Sequence, residues 1–348
     1  MVERRALTFT EAAQVRAVSS HEYSVHVHED YSAAAAAHGG NLNVPQITSE
    51  IFLTVPLALI WRAILLHFQT TLVKQQQPDT VALHFEYLRP GLAGDATIKI
   101  EDVRLGKASS TVQAVLSQGG KEKVRAFAMN VDRSKSNGIS ITTGYTRQPL
   151  EPSIDFDRVL VHQDPHWIRW EGTWAPNSPA KWLSNVIIAF RKECDTDKNM
   201  SDSWVRCKNP AQRWSTEMLG LVVDLSSPPA ENHFVGSLNG QAEYAREAMQ
   251  WAAEGRQPPP AAGWRIPRFY PTVSMSIDVK HALPAQGVEW LYVRASTKSV
   301  LDGRVDIHVE VWDVEGRLVA LSQQMWMAID ISRSPAARKA AEKQKGRL

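Results

Sequence analysis

Residues 301–326 read LDGRVDIHVEVWDVEGRLVALSQQMW. A Gly-base pair (Gly303-Arg304) opens a run in which Val305, Ile307, Val309 and Val311 alternate with polar residues. A turn ends in a second Gly-base pair (Gly316-Arg317), and another alternating run follows. Apolar residues at every second position are the period of a half-buried strand, and Gly at the junction supplies the backbone freedom a tight turn needs. The stretch is therefore a β-hairpin. Nearly two hundred residues earlier, 105–131 read LGKASSTVQAVLSQGGKEKVRAFAMNV, with Gly106-Lys107 and Gly120-Lys121 in the corresponding places. One chain carries the same hairpin twice.

Working outward, the order of elements also repeats. In the N-terminal half, Tyr23, Val25 and Val27 alternate as a short strand, and residues 37–42 (AHGGNL) form a turn. The apolar stretch 51–68, IFLTVPLALIWRAILLHF, is interrupted by Pro56, Arg62 and His67. It falls short of the roughly 20 uninterrupted apolar residues of a membrane span and reads as a buried helix after a loop. Leu59, Ala63, Leu66, Thr70 and Val73 keep helical spacing, and Pro78 ends the helix. A meander follows, with strands in 80–91, 95–106, 109–120 and 123–131. In the second half, 213–229 (RWSTEMLGLVVDLSSPP) predicts a helix capped by Ser215 or Thr216 and stopped by Pro228-Pro229. A second helix is expected over 239–255, before strands return in 271–330. Phe85, Arg89, Pro90 and Gly94 have loose counterparts in Ile277, Ala282, Pro284 and Gly287. Two copies of one curved sheet can pair edge to edge and hide their open edges. The expected organisation is a first domain over 1–135, a polar linker over 136–160, a second domain over 161–332, and a basic tail without a core over 333–348.

The 348 residues suit two domains rather than one core. A net charge of +2 lacks the basic excess of a nucleic-acid binder, so no nucleic-acid partner is expected. Cys194 and Cys207 are too few for a disulfide framework and form no C-x-x-C metal pattern; no metal and no cofactor are expected. The opening residues lack the apolar run of a signal peptide, and a reducing, cytoplasmic setting is the natural expectation. The terminal Gly346-Arg347-Leu348 is only a weak version of a peroxisomal tripeptide. Twelve Trp is a high number, which means core filling or the wall of a pocket.

Taken together, AHGGNL (37–42), residues 77–112, WSTEMLGLVVDLSSPP (214–229) and residues 289–324 resemble the thioesterase-like superfamily, and within it the acyl-CoA thioesterase II type in its fungal branch. The resemblance spans about residues 20–330 and rests on order and spacing rather than on one motif. It implies an α+β double hot-dog fold of two fused helix-plus-antiparallel-sheet repeats. It further implies an acyl-CoA or acyl-carrier thioester as substrate, hydrolysed by water held between an Asp, a Ser or Thr, and a Gln of the C-terminal half. The matching positions are Asp224 in LVVDLSS, Thr272 in YPTVSMS with Ser274 two residues on and on the same strand face, and Gln323 or Gln324 in LVALSQQMW, with Gln324 favoured by spacing. Adjacent strand residues face opposite ways, so only one of the two amides can serve. His38, Gly39 and Gly40 are the matching substrate-binding turn before the N-terminal helix. Members of such families pair further, which makes a homo-oligomer an open expectation.

Read without the resemblance, each residue has a plainer alternative. Asp224 follows Val222-Val223 where a helix ends, and the dipole does not favour an anion there; it could simply bond the amides of Ser226 or Ser227. Thr272 after Pro271 could be an ordinary strand-edge residue, and 38–40 a tight turn alone. An inward Gln324 needs hydrogen-bond partners. No G-x-S-x-G motif is present, which argues against an α/β-hydrolase. The resemblance has two departures. About fifteen residues intervene over 41–56, as a loop over the pocket or a gene-model artefact, and Met275 stands where bacterial-type relatives often carry His. The competing function is a non-hydrolytic hot-dog enzyme or acyl-binding protein acting on a polyketide or other secondary-metabolite intermediate.

Overall fold

The computed structural model describes residues 7–28, 33–34, 50–52, 54–135, 138–171, 181–192, 197–226, 228–233 and 268–330. Residues 38–40, most of 41–56, the helix expected over 239–255, the tail 333–348 and Cys194 lie outside them.

In the N-terminal half, strand β1 (Glu22–Val27) precedes helix α1 (Thr54–Thr70). Four strands follow: β2 (Asp79–Tyr87), β3 (Gly94–Leu105), β4 (Ser109–Gln118) and β5 (Lys121–Val131). Pro56 falls in the first turn of α1, where its missing N–H removes no helical bond. Leu57, Ala58, Leu59, Ile60, Trp61, Ala63, Ile64 and Phe68 are all buried. A helix apolar on nearly every side must be wrapped by protein. The sheet supplies one side: Val112, Ala114 and Leu116 of β4 and Val124, Ala126 and Ala128 of β5 alternate inward beneath it. No helix among the described residues is long and apolar enough to cross a membrane.

The C-terminal half repeats this plan. Helix α2 (Phe156–Leu160) and strands β6 (Trp167–Glu171), β7 (Val186–Arg191) and β8 (Met200–Cys207) come first, then the short helix α3 (Leu219–Val223). It ends with β9 (Thr272–Val279), β10 (Trp290–Ser296), β11 (Arg304–Trp312) and β12 (Leu318–Met327). All the strands join one 14-stranded antiparallel sheet, in the order β1-β3-β4-β5-β2-β9-β12-β11-β10-β8-β7-β6, with short strand Val15–Ala17 outside β1 and Val300–Leu301 paired to β11. The halves meet where β2 pairs β9, through Leu83↔Ile277, His84↔Ser276 and Phe85↔Met275. A pseudo-two-fold through the His84–Ser276 pair exchanges Phe85 with Ile277, which are the counterparts seen in sequence. Both glycines of the β4–β5 turn, Gly119 (φ +55°) and Gly120 (φ +72°), hold left-handed backbone, as a two-residue hairpin loop requires.

Two expectations change. The helix expected over 213–229 is a 3₁₀ turn (Thr216–Met218) followed by five α residues. Neither proposed cap acts as one: Ser215 makes no capping bond, and Thr216 Oγ1 accepts from Leu283 N at 3.0 Å. Contact with α1 shapes this element. Gly220 lies where an added Cβ would sit 3.4 Å from the Leu57 Cβ and 3.8 Å from the Trp61 ring.

The second change concerns residues 138–160, which pack against the outer face of the C-terminal sheet instead of simply bridging the halves. Phe156 stacks on Trp290, with centroids 4.9 Å apart, and meets Trp204 edge-on. The Arg147 guanidinium lies 4.9 Å from the Tyr292 ring and 4.7 Å from Trp312. Arg294, itself paired with the buried Asp202 carboxylate at 2.8 and 2.9 Å, donates to Pro149 O at 2.8 Å. Trp167, Trp204, Trp290 and Trp312 form this second core, so these tryptophans fill rather than line a pocket.

Candidate functional site

Gln324 is the centre of the site. Alternation along β12 turns Ser322, Gln324 and Trp326 inward and leaves Gln323 exposed on the outer face, in a groove of about 500 Å³ with His84, Ser276 and His308. Gln324 is 3% exposed. Its Nε2 donates to Val223 O at 3.0 Å and to Ser322 Oγ at 3.2 Å, while its Oε1 accepts from Trp326 Nε1 at 2.7 Å. An indole N–H can only donate and a carbonyl can only accept, so these partners fix which end of the amide is oxygen. Both amide hydrogens are committed, and among the described residues Oε1 accepts one bond, from the Trp326 indole. The carbonyl that Gln324 holds belongs to the residue immediately before Asp224.

Asp224 ends α3 with αR backbone (φ −91°, ψ −4°) and is partly buried. Two residues on, the Ser226 hydroxyl is buried with no hydrogen-bond partner among the described residues. A buried hydroxyl of that kind is costly unless water or a ligand satisfies it.

Thr272 opens β9 opposite Trp326, on the inner face and one pair beyond Gln324. A bulge separates Thr272 from Ser274: Ser274 pairs with Met325, and Met275 with Gln324. The extra residue reverses the expected alternation. Thr272 therefore shares the inner face with Met275 (0% exposed), and Ser274 is carried to the outer face beside Glu86. This corrects the expectation that Thr272 and Ser274 face the same way. His38, Gly39 and Gly40 cannot be placed, as they lie outside the described residues.

Tyr87, the last residue of β2 and so part of the other half, was not singled out from sequence. It is partly buried against the main core. Burial and, second, the Asp224 carboxylate hold its phenol well above the ordinary 10.0. Among the described residues its hydroxyl makes no hydrogen bond, and a neutral donor stands within reach of the Asp224 charge. The sequence signal was available: HFEYLRP (84–90) ends an alternating strand on an aromatic with a polar tip.

Thr272 and Gln324 share the inner face of the sheet, Gln324 holds the carbonyl next to Asp224, and the Asp224 charge reaches the Tyr87 phenol. Such a set can hold a water and take its proton.

The family model described as the acyl-CoA thioesterase C-terminal domain matches residues 150–328, and the one described as its N-terminal domain matches 43–131. The thioesterase-like protein TwmA of Talaromyces wortmannii is 29% identical over 365 aligned positions, covering 96% of each chain. Among solved structures, a conserved hot-dog protein from Alicyclobacillus acidocaldarius superposes with a TM-score of 0.62 at 16% identity, over 93% of this chain and 99% of that one. The acyl-CoA thioesterase II TesB2 of Mycobacterium marinum gives 0.54 at 14% identity, over 93% and 98%. At these identities the solved structures speak to the fold, which is the double hot-dog.

Proposed function

This chain belongs to the acyl-CoA thioesterase family, and from that premise we propose that it hydrolyses an acyl thioester with Asp224, Thr272 and Gln324 as its catalytic residues. The carboxylate of Asp224 takes a proton from water while the Thr272 hydroxyl and the second lone pair of Gln324 Oε1 hold that water. The water oxygen attacks the thioester carbonyl carbon, the tetrahedral intermediate collapses, and the thiolate leaves. The developing oxyanion needs donors. The neutral Tyr87 hydroxyl is one, and the backbone of His38, Gly39 and Gly40 is proposed to supply others.

The observation that carries this reading is the buried amide of Gln324 clamped on Val223, which fixes the end of α3 where Asp224 stands. The substrate is proposed to be an acyl-CoA or acyl-carrier thioester. TwmA, a thioesterase-like protein, is the relative that supports such a substrate class. The test is release of free thiol from a panel of acyl-CoAs and acyl-carrier thioesters by wild type, Asp224→Ala and Gln324→Ala. Thiol release that falls sharply in both variants supports the mechanism; undiminished turnover in either overturns it. A bound, unhydrolysed acyl-CoA with no thiol release by wild type would favour the non-hydrolytic alternative.

A further inference from the structure

On the N-terminal half, three side chains from three separate elements converge, none of them among the residues proposed for hydrolysis. His67 lies in the last turn of α1, Asp102 on β3, and His21 just ahead of β1. His67 Nε2 is 2.9 Å from Asp102 Oδ1, and His21 Nε2 is 3.2 Å from Asp102 Oδ2. One ligand atom from each residue lies within 4.8 Å of the others. We propose that these residues form a binding site for a divalent transition ion of the zinc class, with two imidazole nitrogens and one carboxylate as ligands.

Several features support a built site. Both histidines present Nε2 to the carboxylate, and both hold Nδ1 against an oxygen further out. His67 Nδ1 is 2.8 Å from the Tyr23 hydroxyl and 3.1 Å from Ser20 O; His21 Nδ1 is 2.8 Å from Ser20 Oγ. The Ser20 carbonyl can only accept, so it draws the proton to His67 Nδ1 and leaves Nε2 as an oriented ligand, as metal-binding histidines are typically held; the Ser20 hydroxyl orients the His21 ring. Ser20 O is itself secured by Thr71 Oγ1 at 2.7 Å and the Tyr23 hydroxyl at 3.2 Å. His67 is 0% exposed, and a bulge in β3 directly after Asp102 sets the local strand direction at the site. Bulges commonly re-aim side chains at functional positions.

The geometry suits a small tetrahedral ion. Zinc–nitrogen and zinc–oxygen bonds of about 2.0–2.1 Å place tetrahedral ligand atoms about 3.3–3.4 Å apart. The 2.9 and 3.2 Å contacts run to different oxygens of Asp102 and open slightly, while the widest separation, within 4.8 Å, closes as the exposed His21 ring moves in. Two imidazoles and a carboxylate suit zinc over magnesium or calcium, which take oxygen ligands. His21 is the exposed member, its side chain 45% accessible, so a water completes the coordination from that side. The ion would clip the hairpin at 18–22 and β3 to the end of α1. Without an ion the same contacts form a plain hydrogen-bonded relay, and the experiment separates the two.

The full chain is stripped with a chelator, and zinc is titrated in competition with a chromophoric indicator. Cobalt is titrated in parallel, because its visible absorption reports tetrahedral coordination. His21→Ala removes the exposed ligand without disturbing the buried ones, and Asp102→Asn removes the bridge. His26→Ala serves as control: that residue lies nearby and pairs with Asp95 at 2.7 Å, outside the proposed site. The expected result is one equivalent of zinc per chain, a tetrahedral cobalt spectrum, a loss of at least about 10-fold in affinity in His21→Ala, and wild-type binding in His26→Ala. Absence of saturable binding in wild type overturns the proposal. Unchanged affinity in His21→Ala overturns it too, as does an equal loss in His26→Ala.

Discussion

Replacing Gln324 with Met keeps the side-chain length and deletes every polar atom. In the structure Gln324 satisfies Val223 O and Trp326 Nε1, and it also donates to the hydroxyl of Ser322. Ser322 and Trp326 are buried, at 1% and 4% exposure. A buried group that loses its partner costs about 1–3 kcal/mol. The Val223 carbonyl and the Trp326 indole are the two groups with no ready substitute, so Gln324→Met is expected to destabilise the chain by about 2–6 kcal/mol, reduced by the gain of burying a thioether side chain. The same change frees the end of α3 and removes the oxygen proposed to hold water. Positioned proton-transfer groups contribute about 10²–10⁴-fold, and kcat is expected to fall within that range with little change in KM. Urea unfolding read by Trp fluorescence measures the first quantity, and thiol release over a substrate series measures the second, at a urea-free condition where the variant remains folded. A variant within about 1 kcal/mol of wild type and within twofold in kcat refutes the reasoning, because neither the clamp nor the water contact would then matter.

Tyr87→Phe is expected to lower kcat several-fold while the alkaline limb of the pH profile stays unchanged up to about pH 10, since the wild-type phenol is held well above 10.0; a limb that moves below that pH shows the phenol was ionising. Arg294→Met leaves the Asp202 carboxylate buried with its main partner gone and releases Pro149 O, so a loss of about 3–5 kcal/mol is expected in urea unfolding. Burial pushes the Cys207 thiol from 9.0 up to about 12. Its folded value lies above the unfolded one, so its contribution to stability is complete below about pH 9 and is lost as pH rises through about 12. In a Cys194→Ser background Cys207 should resist a thiol reagent at pH 8 and react on unfolding, which mass spectrometry of the labelled chain checks. Gly220→Leu is expected to cost about 1–3 kcal/mol by overpacking against Leu57 and Trp61, and the shift in urea midpoint measures it.

The repeat was legible in sequence because the meander strands bury one face, so Val305, Ile307, Val309 and Val311 alternate as their environments do. Phe85 and Ile277 were legible as counterparts, but the register of the seam, with His84 opposite Ser276, was not. Strands β6, β7 and β8 gave no such signal. Trp204 and Val205 are neighbours on opposite faces and both are buried, one under the 138–160 segment and one in the main core. Two covered faces erase the alternation that identifies a strand. The inward Gln324 could be favoured over Gln323 by spacing, because β12 is regular. Ser274 could not be placed, because a bulge leaves no mark in residue type. Tyr87 was missed because it comes from the other half and meets Asp224 only when β2 joins β9. The His21–His67–Asp102 cluster spans 81 residues, a separation no local motif reaches.

The bond between β2 and β9 is made by backbone amides and carbonyls, and it is continuous with the rest of the sheet. Cutting the chain between its halves would thus bare two long adhesive strand margins at once. Neither piece would behave as a free-standing protein, and the two, produced together, would find each other by the same ladder. Covalent fusion spares the cell that encounter.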